Sequence, residues 1–484
     1  MNTTPSAQDL WHGIAGHFDS ITQVLCEFID NSVSNFEGNN VPTKTILLDF
    51  EQQKSGDSKI QIEDTGTGLE NLEPVMRLGD RTVRETPLNE HGFGLKHALA
   101  SANPDNDKWK IFTRTEDEFK KGKCRVVEAP YKYDLESKEL PSDKWPGGFH
   151  GTGTIIQFVC SEMMFNTIRK GVKGKAGFER CLDYLREELG YVYAGVIEKG
   201  KATITVASKA IKYSKAVEAV KPQWAGYYDP KSGSVELDLG GGKLIVEYIF
   251  GEMKESTYVK HYKRNMATSG VEIRINGRVL ASRLFQEIWD IEPHPSYNHF
   301  LVTINLVSDK RDALPRTRTS KNGIRSGDEK LEALFAWIRK THTTPEKRLA
   351  GAVSEDELVK ELAKQKEKHI RSKQKSIQTE FSVFTKVGSP VDADLYVFDG
   401  HEVVLYEAKK DRADVQNLYQ LLMYWDGAVS DGIKPDEGIL IASDFSTGVK
   451  PVMDQLNSRK DENGNNYNFS CKRWSDEGVD YPES

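Results

Sequence analysis

Four short polar clusters, punctuated by glycine and arriving in order within the first 160 residues, constrain this chain more than any other feature. The first, LCEFIDNS, sets Glu27 and Asn31 four apart, so on a helix they point the same way. Leu25, Phe28 and Ile29 beside them are apolar and would bury that helix. A carboxylate and a carboxamide on one buried face can activate a water and coordinate Mg²⁺. The second, IEDTGTGL, ends a strand at Asp64. Its carboxylate can accept from an adenine amino group, and Gly66 and Gly68 let backbone approach a base with no Cβ in the way. The third, NEHGFGLKHA, runs Gly92 and Gly94 into a helix opening with Leu95 and Lys96. Such a loop offers backbone N–H groups to phosphate, and Lys96 adds positive charge. The fourth, GFHGTGTIIQF, leads through Gly151, Thr152, Gly153 and Thr154 into an apolar strand, with the Thr154 hydroxyl aimed at the adenine side. Each cluster alone is an ordinary turn or solvated face. Their order and spacing are what point to a nucleotide.

At 484 residues the chain predicts roughly three domains. Hydrophobic residues make up 38% and charged residues 29%, an ordinary balance that supplies each domain with a core. The net charge of −7 creates no global basic field, so nucleic-acid contact must come from a local patch. Cys26, Cys124, Cys160, Cys181 and Cys471 are scattered, without a CxxC pair. That predicts neither a zinc site nor a disulfide framework, and it fits a cytoplasmic location. The N-terminal segment lacks the features of a signal peptide, and no apolar run reaches the roughly eighteen residues of a membrane span.

The fold class read from the pattern is α/β (α+β), multidomain. The first domain, 1–165, has a helix over 21–36, strands over 44–50, 59–63, 109–113 and 154–159, and a helix from 94. The second, 166–345, has a helix over 178–189 and strands over 203–207, 243–249, 271–275 and 300–306, with Asn276 and Gly277 marking a hairpin. Residues 346–377 read as a helical connector, acidic early and basic over 364–375. The last domain, 378–484, is expected to open with a helix, followed by strands over 395–398 and 403–407, a helix over 415–425 and a strand over 438–443.

The four clusters together resemble the GHKL ATPases: gyrase B subunits, ninety-kilodalton heat-shock chaperones, MutL and MORC proteins. The resemblance covers residues 10–160 and continues more faintly to 330. It implies an α/β sandwich that binds ATP and Mg²⁺. Glu27 would be the general base for the attacking water and Asn31 the Mg²⁺ ligand. Asp64 would read adenine, with Gly66 and Gly68 beside it and Thr154 nearby. Gly92, Gly94, Leu95 and Lys96 would form the phosphate lid. Glu27 sets the chain apart from histidine kinases. In the gyrase, MutL and MORC branches a transducer domain supplies a lysine to the γ-phosphate. Here the segment PRTRTSKNGI offers Lys321, with Lys310 as the alternative, and it also reads as a basic surface loop facing DNA phosphates. The same branches imply an ATP-dependent homodimer.

In SPVDADLYVFDGHEVVLYEAKK, Asp394 starts one strand and Glu407-Ala-Lys409 ends the next. Glu407 and Lys409 alternate with Ala408 and so share a face. Asp394 and Glu407 can meet at one Mg²⁺, leaving Lys409 to orient water or stabilise charge. Gln420 and Tyr424 lie four apart on a helix. These residues resemble the PD-(D/E)xK nucleases, a restriction-endonuclease-like fold, and the Q-x-x-x-Y element is similar to the RecB-like members. Glu380 resembles the acid that some members carry on the first helix, and Asp392 is an alternative ligand to Asp394. The resemblance implies Mg²⁺, or Mn²⁺, and DNA as substrate, with RNA left open. The expected whole is an ATP-dependent, dimerising DNA endonuclease of a microbial defence type. The competing expectation is an ATP-driven DNA clamp or chaperone whose last domain only binds.

Overall fold

A computed structural model describes residues 6–76, 87, 94–172, 174, 176–224, 230–318, 323, 325, 327–342 and 354–479. The chain divides into two compact units, 1–223 with 231–346, and 347–484 with 224–230. No described helix is long and apolar enough to cross a membrane.

In the first unit, the helix Ile21–Gly38 starts at Ser20, whose hydroxyl caps Gln23 N–H. Val24, Leu25, Phe28, Ile29, Val33 and Phe36 are all buried, so the helix is held by its apolar faces. Among the described residues, eight strands form one mixed sheet. Its order is Lys138–Pro141, Lys123–Glu128, Trp109–Arg114, Gly153–Cys160, Ser58–Asp64, Thr45–Gln52, Thr203–Ser208 and Tyr213–Ala216. The strand Thr203–Ser208 runs parallel to Thr45–Gln52. The first sheet therefore extends past residue 165, which corrects the assignment of 203–207 to the second domain. A buried Ile204 and Val206, aligned with Ile46 and Leu48, give the reason.

A second sheet in the same unit runs Lys231–Asp238, Lys243–Lys254, Phe300–Val307, Gly270–Ile275 and Arg278–Leu284. The last two form the expected hairpin, with Asn276 at φ 50° and Gly277 at φ 92°. Two successive positive φ values are the geometry that matches strand twist, and an Asn-Gly pair adopts them with least strain.

In the second unit, five strands run Ser376–Val383, Val391–Phe398, Val403–Ala408, Glu437–Ala442 and Phe469–Arg473 among the described residues. Residues 376–383 are a strand and not the expected opening helix. Ile377, Thr379, Phe381 and Val383 alternate, and the segment pairs antiparallel with Val391–Phe398. One face of the sheet is covered by the helix Val415–Ser430 through Leu418, Leu421 and Trp425. The other is covered by the helix Glu355–His369 through Leu358, Val359 and Leu362. That helix is thus a layer of this unit and not a free connector. An isolated helix of 15 residues is marginal in water, whereas burying three aliphatic side chains contributes about 5 kcal/mol. It ends at His369, and Lys375 Nζ donates to the Glu367 and Ile370 carbonyls (2.6 and 3.2 Å). The basic run is therefore partly committed to capping its own helix.

Candidate functional site

In the first unit, Glu27 is only 3% exposed. Its carboxylate lies over Gly94, the first residue of the helix Gly94–Ala102, and a Cβ at Gly94 would collide with it. This close approach explains the glycine there. Asn31 follows one turn along the helix and is partly exposed.

Asp64 ends its strand opposite Thr154. The Ser32 hydroxyl donates to Asp64 Oδ2 (2.8 Å), and the Gly66 and Thr154 N–H groups donate to Oδ1 (2.8 and 3.2 Å). Burial pushes the Asp64 carboxyl up, and these donors oppose it. Thr154 thus contributes its backbone N–H to this aspartate. Gly66 sits against the Asn35 amide, and Gly68 has φ 76° with a Cβ position 2.6 Å from the Arg114 carbonyl oxygen. Both positions exclude a side chain, one by crowding and one also by conformation.

Three contacts were missed in the sequence. Asn35 accepts from Thr67 N–H (2.9 Å) and donates to its hydroxyl (3.0 Å). The Thr152 hydroxyl donates to the Gly66 carbonyl (2.7 Å). Buried Glu63 accepts from Gly148 and Phe149 N–H groups, both at 2.8 Å, and so pins the loop before Thr152. Asn35 was findable, because Glu27, Asn31 and Asn35 continue one stripe at spacing four. The other two depend on pairing between distant segments.

The expected lid is only partly described. Leu95 is buried in the core. Lys96 is also buried and donates to the Val75 carbonyl (2.8 Å). Gly92 and Lys321 lie outside the described residues. Lys310, the alternative to Lys321, is exposed just beyond the strand Phe300–Val307.

In the second unit, Asp394, Glu407 and Lys409 come together. The strands pair Leu395 with Tyr406, and continuing that register sets Asp394 opposite Glu407. Asp394 Oδ2 accepts from Ala408 N–H (2.7 Å). Lys409 Nζ lies 2.9 Å from Glu407 Oε1 and 3.0 Å from Glu355 Oε1. Glu355 Oε2 accepts from Lys410 N–H (2.8 Å). Burial first, and then Asp394, pushes the Glu407 carboxyl up to about 7; Lys409, ion-paired with it, and the Tyr424 hydroxyl oppose this. Asp394 is raised by burial too.

The acid contributed by a helix is Glu355 and not Glu380. Glu380 is exposed on a strand at φ 54°. Gln420 is also exposed, and its carbonyl accepts from Asn417 (3.0 Å), while Tyr424 is the member of the Q-x-x-x-Y pair that reaches Glu407. Asp392, the alternative ligand, is exposed and accepts from the Ser382 hydroxyl (2.5 Å). Among the described residues, no three His, Cys, Asp or Glu side chains converge as a metal-ligand group.

Part of the first unit matches a known family. Residues 19–143 match the model of the histidine kinase-, DNA gyrase B- and HSP90-like ATPases. No curated protein matches the chain. Solved structures that match include the N-terminal domain of a DNA repair protein, 13% identical with TM-score 0.40, covering 69% of this chain and 96% of that one. The ATP-binding domain of Francisella tularensis topoisomerase IV is 12% identical with TM-score 0.36, covering 68% and 90%. The B subunit of Myxococcus xanthus DNA gyrase is 12% identical with TM-score 0.37, covering 66% and 87%. Over residues 19–143, then, the chain carries a histidine kinase-, DNA gyrase B- and HSP90-like ATPase domain.

Proposed function

We propose that the chain is an ATP-hydrolysing protein that dimerises on ATP and cuts DNA with its second unit. The ATPase half rests on the family match and on the Glu27 carboxylate seated against Gly94 at the start of the lid helix. Glu27 takes the proton of the attacking water. Asn31 would hold Mg²⁺, which when bound neutralises phosphate charge. Asp64, held by three donors, accepts from the adenine amino group. Lys321 or Lys310 would meet the γ-phosphate.

The nuclease half is carried by one observation: four separate elements bring Asp394, Glu407, Lys409, Glu355 and Tyr424 to one place. Buried Glu407 and half-buried Asp394 bring two carboxylates together, Asp394 pushing the Glu407 carboxyl up, and a divalent cation would relieve them. They would hold Mg²⁺ or Mn²⁺, which supplies Lewis acidity toward a phosphodiester. Lys409 orients the attacking water, and Glu355 holds Lys409 in position. A second reading is supported by the Lys409–Glu407 ion pair and by the missing third metal ligand among the described residues. In that reading the acids are neutralised internally and the unit only binds nucleic acid.

Plasmid incubated with the full chain and Mg²⁺ or Mn²⁺, with and without ATP, separates the two. We expect nicking or cutting that Lys409→Ala abolishes while ATP turnover persists. No cleavage under any metal or nucleotide condition overturns the nuclease reading.

A further inference from the structure

The helix that carries Glu27 and Asn31 is also anchored by Arg278, at the start of a strand of the second sheet, and by Tyr193. Asp30 is fully buried, and its Oδ1 accepts from Arg278 Nε at 2.7 Å. The Tyr193 hydroxyl lies 2.8 Å from the same oxygen and 2.8 Å from the Cys26 carbonyl oxygen. The two anchored residues, Cys26 and Asp30, each immediately precede a member of the Glu27–Asn31 pair. Rotation of the helix about its axis would break both anchors and would swing Glu27 and Asn31 with it.

Arg278 reaches Asp30 because of the turn before it. Gly277 packs backbone-to-backbone on Gly195, where a Cβ on either glycine would lie 2.6 Å from the other's main chain. Gly195 N–H donates to the Gly277 carbonyl (3.1 Å). The next residue back, Asn276, exchanges two side-chain hydrogen bonds with Ser308: its amide donates to the Ser308 carbonyl (2.8 Å), and its carbonyl accepts from Ser308 N–H (3.1 Å). Ser308 is where the strand Phe300–Val307 gives way to the loop carrying Lys310. One three-residue turn therefore holds the Glu27 helix at one end and the base of the basic loop at the other.

A buried ion pair contributes little net stability over an apolar pair of similar volume, because both charges lose water. What it does supply is a directional constraint. We propose that Arg278 is a positioning residue for ATP hydrolysis, fixing through Asp30 the rotation of the Glu27–Asn31 helix and, through the Asn276–Gly277 turn, its register against the loop that begins at Ser308. This rests on the ATPase reading above.

The test uses the full chain and compares wild type with Arg278→Lys, Tyr193→Phe and the double variant Asp30→Asn/Arg278→Met. Phosphate release is normalised to the sites that bind a non-hydrolysable ATP analogue, so that a loss of folded protein does not register as lost turnover. Misplacing a catalytic group by a fraction of an ångström costs about tenfold or more in rate. We expect the double variant to lose about tenfold in kcat per analogue-binding site. Arg278→Lys, which keeps the charge but not the fork, and Tyr193→Phe, which removes one anchor, should each lose less. Wild-type kcat per bound site in the double variant overturns the proposal. Should the double variant not fold, wild-type kcat in both conservative variants overturns it equally. A wild-type chain with no ATP turnover defeats the ATPase reading itself, and this proposal with it.

Discussion

Glu27 and Glu407 are both buried glutamates at the heart of a candidate site, and they are built in opposite ways. Glu27 has its companions on its own helix, where Asn31 and Asn35 follow at spacing four, and across from it stands a glycine that yields space. Glu407 has companions from four elements: Asp394 on the neighbouring strand, Lys409 after its own, Glu355 and Tyr424 on helices covering opposite faces of the sheet. A site written along one helix is readable as a motif. A site assembled across a sheet is readable only in its local fragment, here Glu407-Ala-Lys409.

The sharpest way to break this comparison is to remove the first glutamate. Glu27→Ala should still bind ATP while its turnover falls by about 10²–10⁴-fold, the usual contribution of a positioned base. Phosphate release near the wild-type rate would show that Glu27 is not that base. Next in size is Gly94→Ala, whose added methyl would collide with the Glu27 carboxylate. We expect turnover to drop by about 10–100-fold with the melting temperature little changed. Unchanged turnover would mean that the close approach has no part in hydrolysis.

For the second site, Glu355→Gln keeps shape but removes the charge that holds Lys409. Plasmid cleavage should fall by about tenfold, less than for Lys409→Ala. An equal loss in Glu380→Gln would restore the strand acid as the partner.

The smallest expected effect is in pH, where the two units should slope oppositely in the presence of a chelator. Burial, with His17 beside it, holds His97 down at about 4 in the folded first unit, against 6.5 when unfolded. As pH falls from 6.5 toward 4, the unfolded state gains a proton that the folded one refuses, so stability is lost on acidification, on the order of 1 kcal/mol after screening. Glu407 is raised to about 7 from 4.5, so its contribution is greatest below 4.5 and is lost as pH rises through 7. Chemical denaturation of the full chain between pH 4.5 and 8, followed with Glu407→Gln and His97→Gln, checks both signs. A pH slope unchanged by either substitution counts against the corresponding assignment.

Element positions were legible wherever a period was strong. In the first sheet the strands Thr45–Gln52, Ser58–Asp64, Trp109–Arg114, Gly153–Cys160 and Thr203–Ser208 lie near their expected places, as does the Asn276–Gly277 hairpin, whereas the short strands Lys123–Glu128, Lys138–Pro141 and Tyr213–Ala216 at the two ends of the sheet had no strong period and were not expected. The other failures were failures of partnership. Residues 376–383 alternate Ile377, Thr379, Phe381 and Val383, a strand signal outweighed in the reading by the helix-rich segment just before it. Glu355 was hidden in a charged stretch read as a helical connector. Its signals were present: Ser354 and Glu357 form a capping box, and Leu358, Val359 and Leu362 make an apolar stripe. Thr203–Ser208 was assigned to the wrong sheet, because a parallel pairing with Thr45–Gln52 across some 150 residues leaves no local mark.

The order of the first sheet has a practical consequence for anyone cutting this protein into pieces. The segment that defines the ATPase family ends at residue 143, yet Gly153–Cys160 sits between Trp109–Arg114 and Ser58–Asp64, inside the sheet. A fragment stopping at 143 would split its sheet in two and remove Thr154, the partner of Asp64. One stopping at 165 would still leave Thr45–Gln52 as an uncovered edge, open to pairing with other chains. Among the described residues, the first sheet is complete only in a fragment that reaches residue 216.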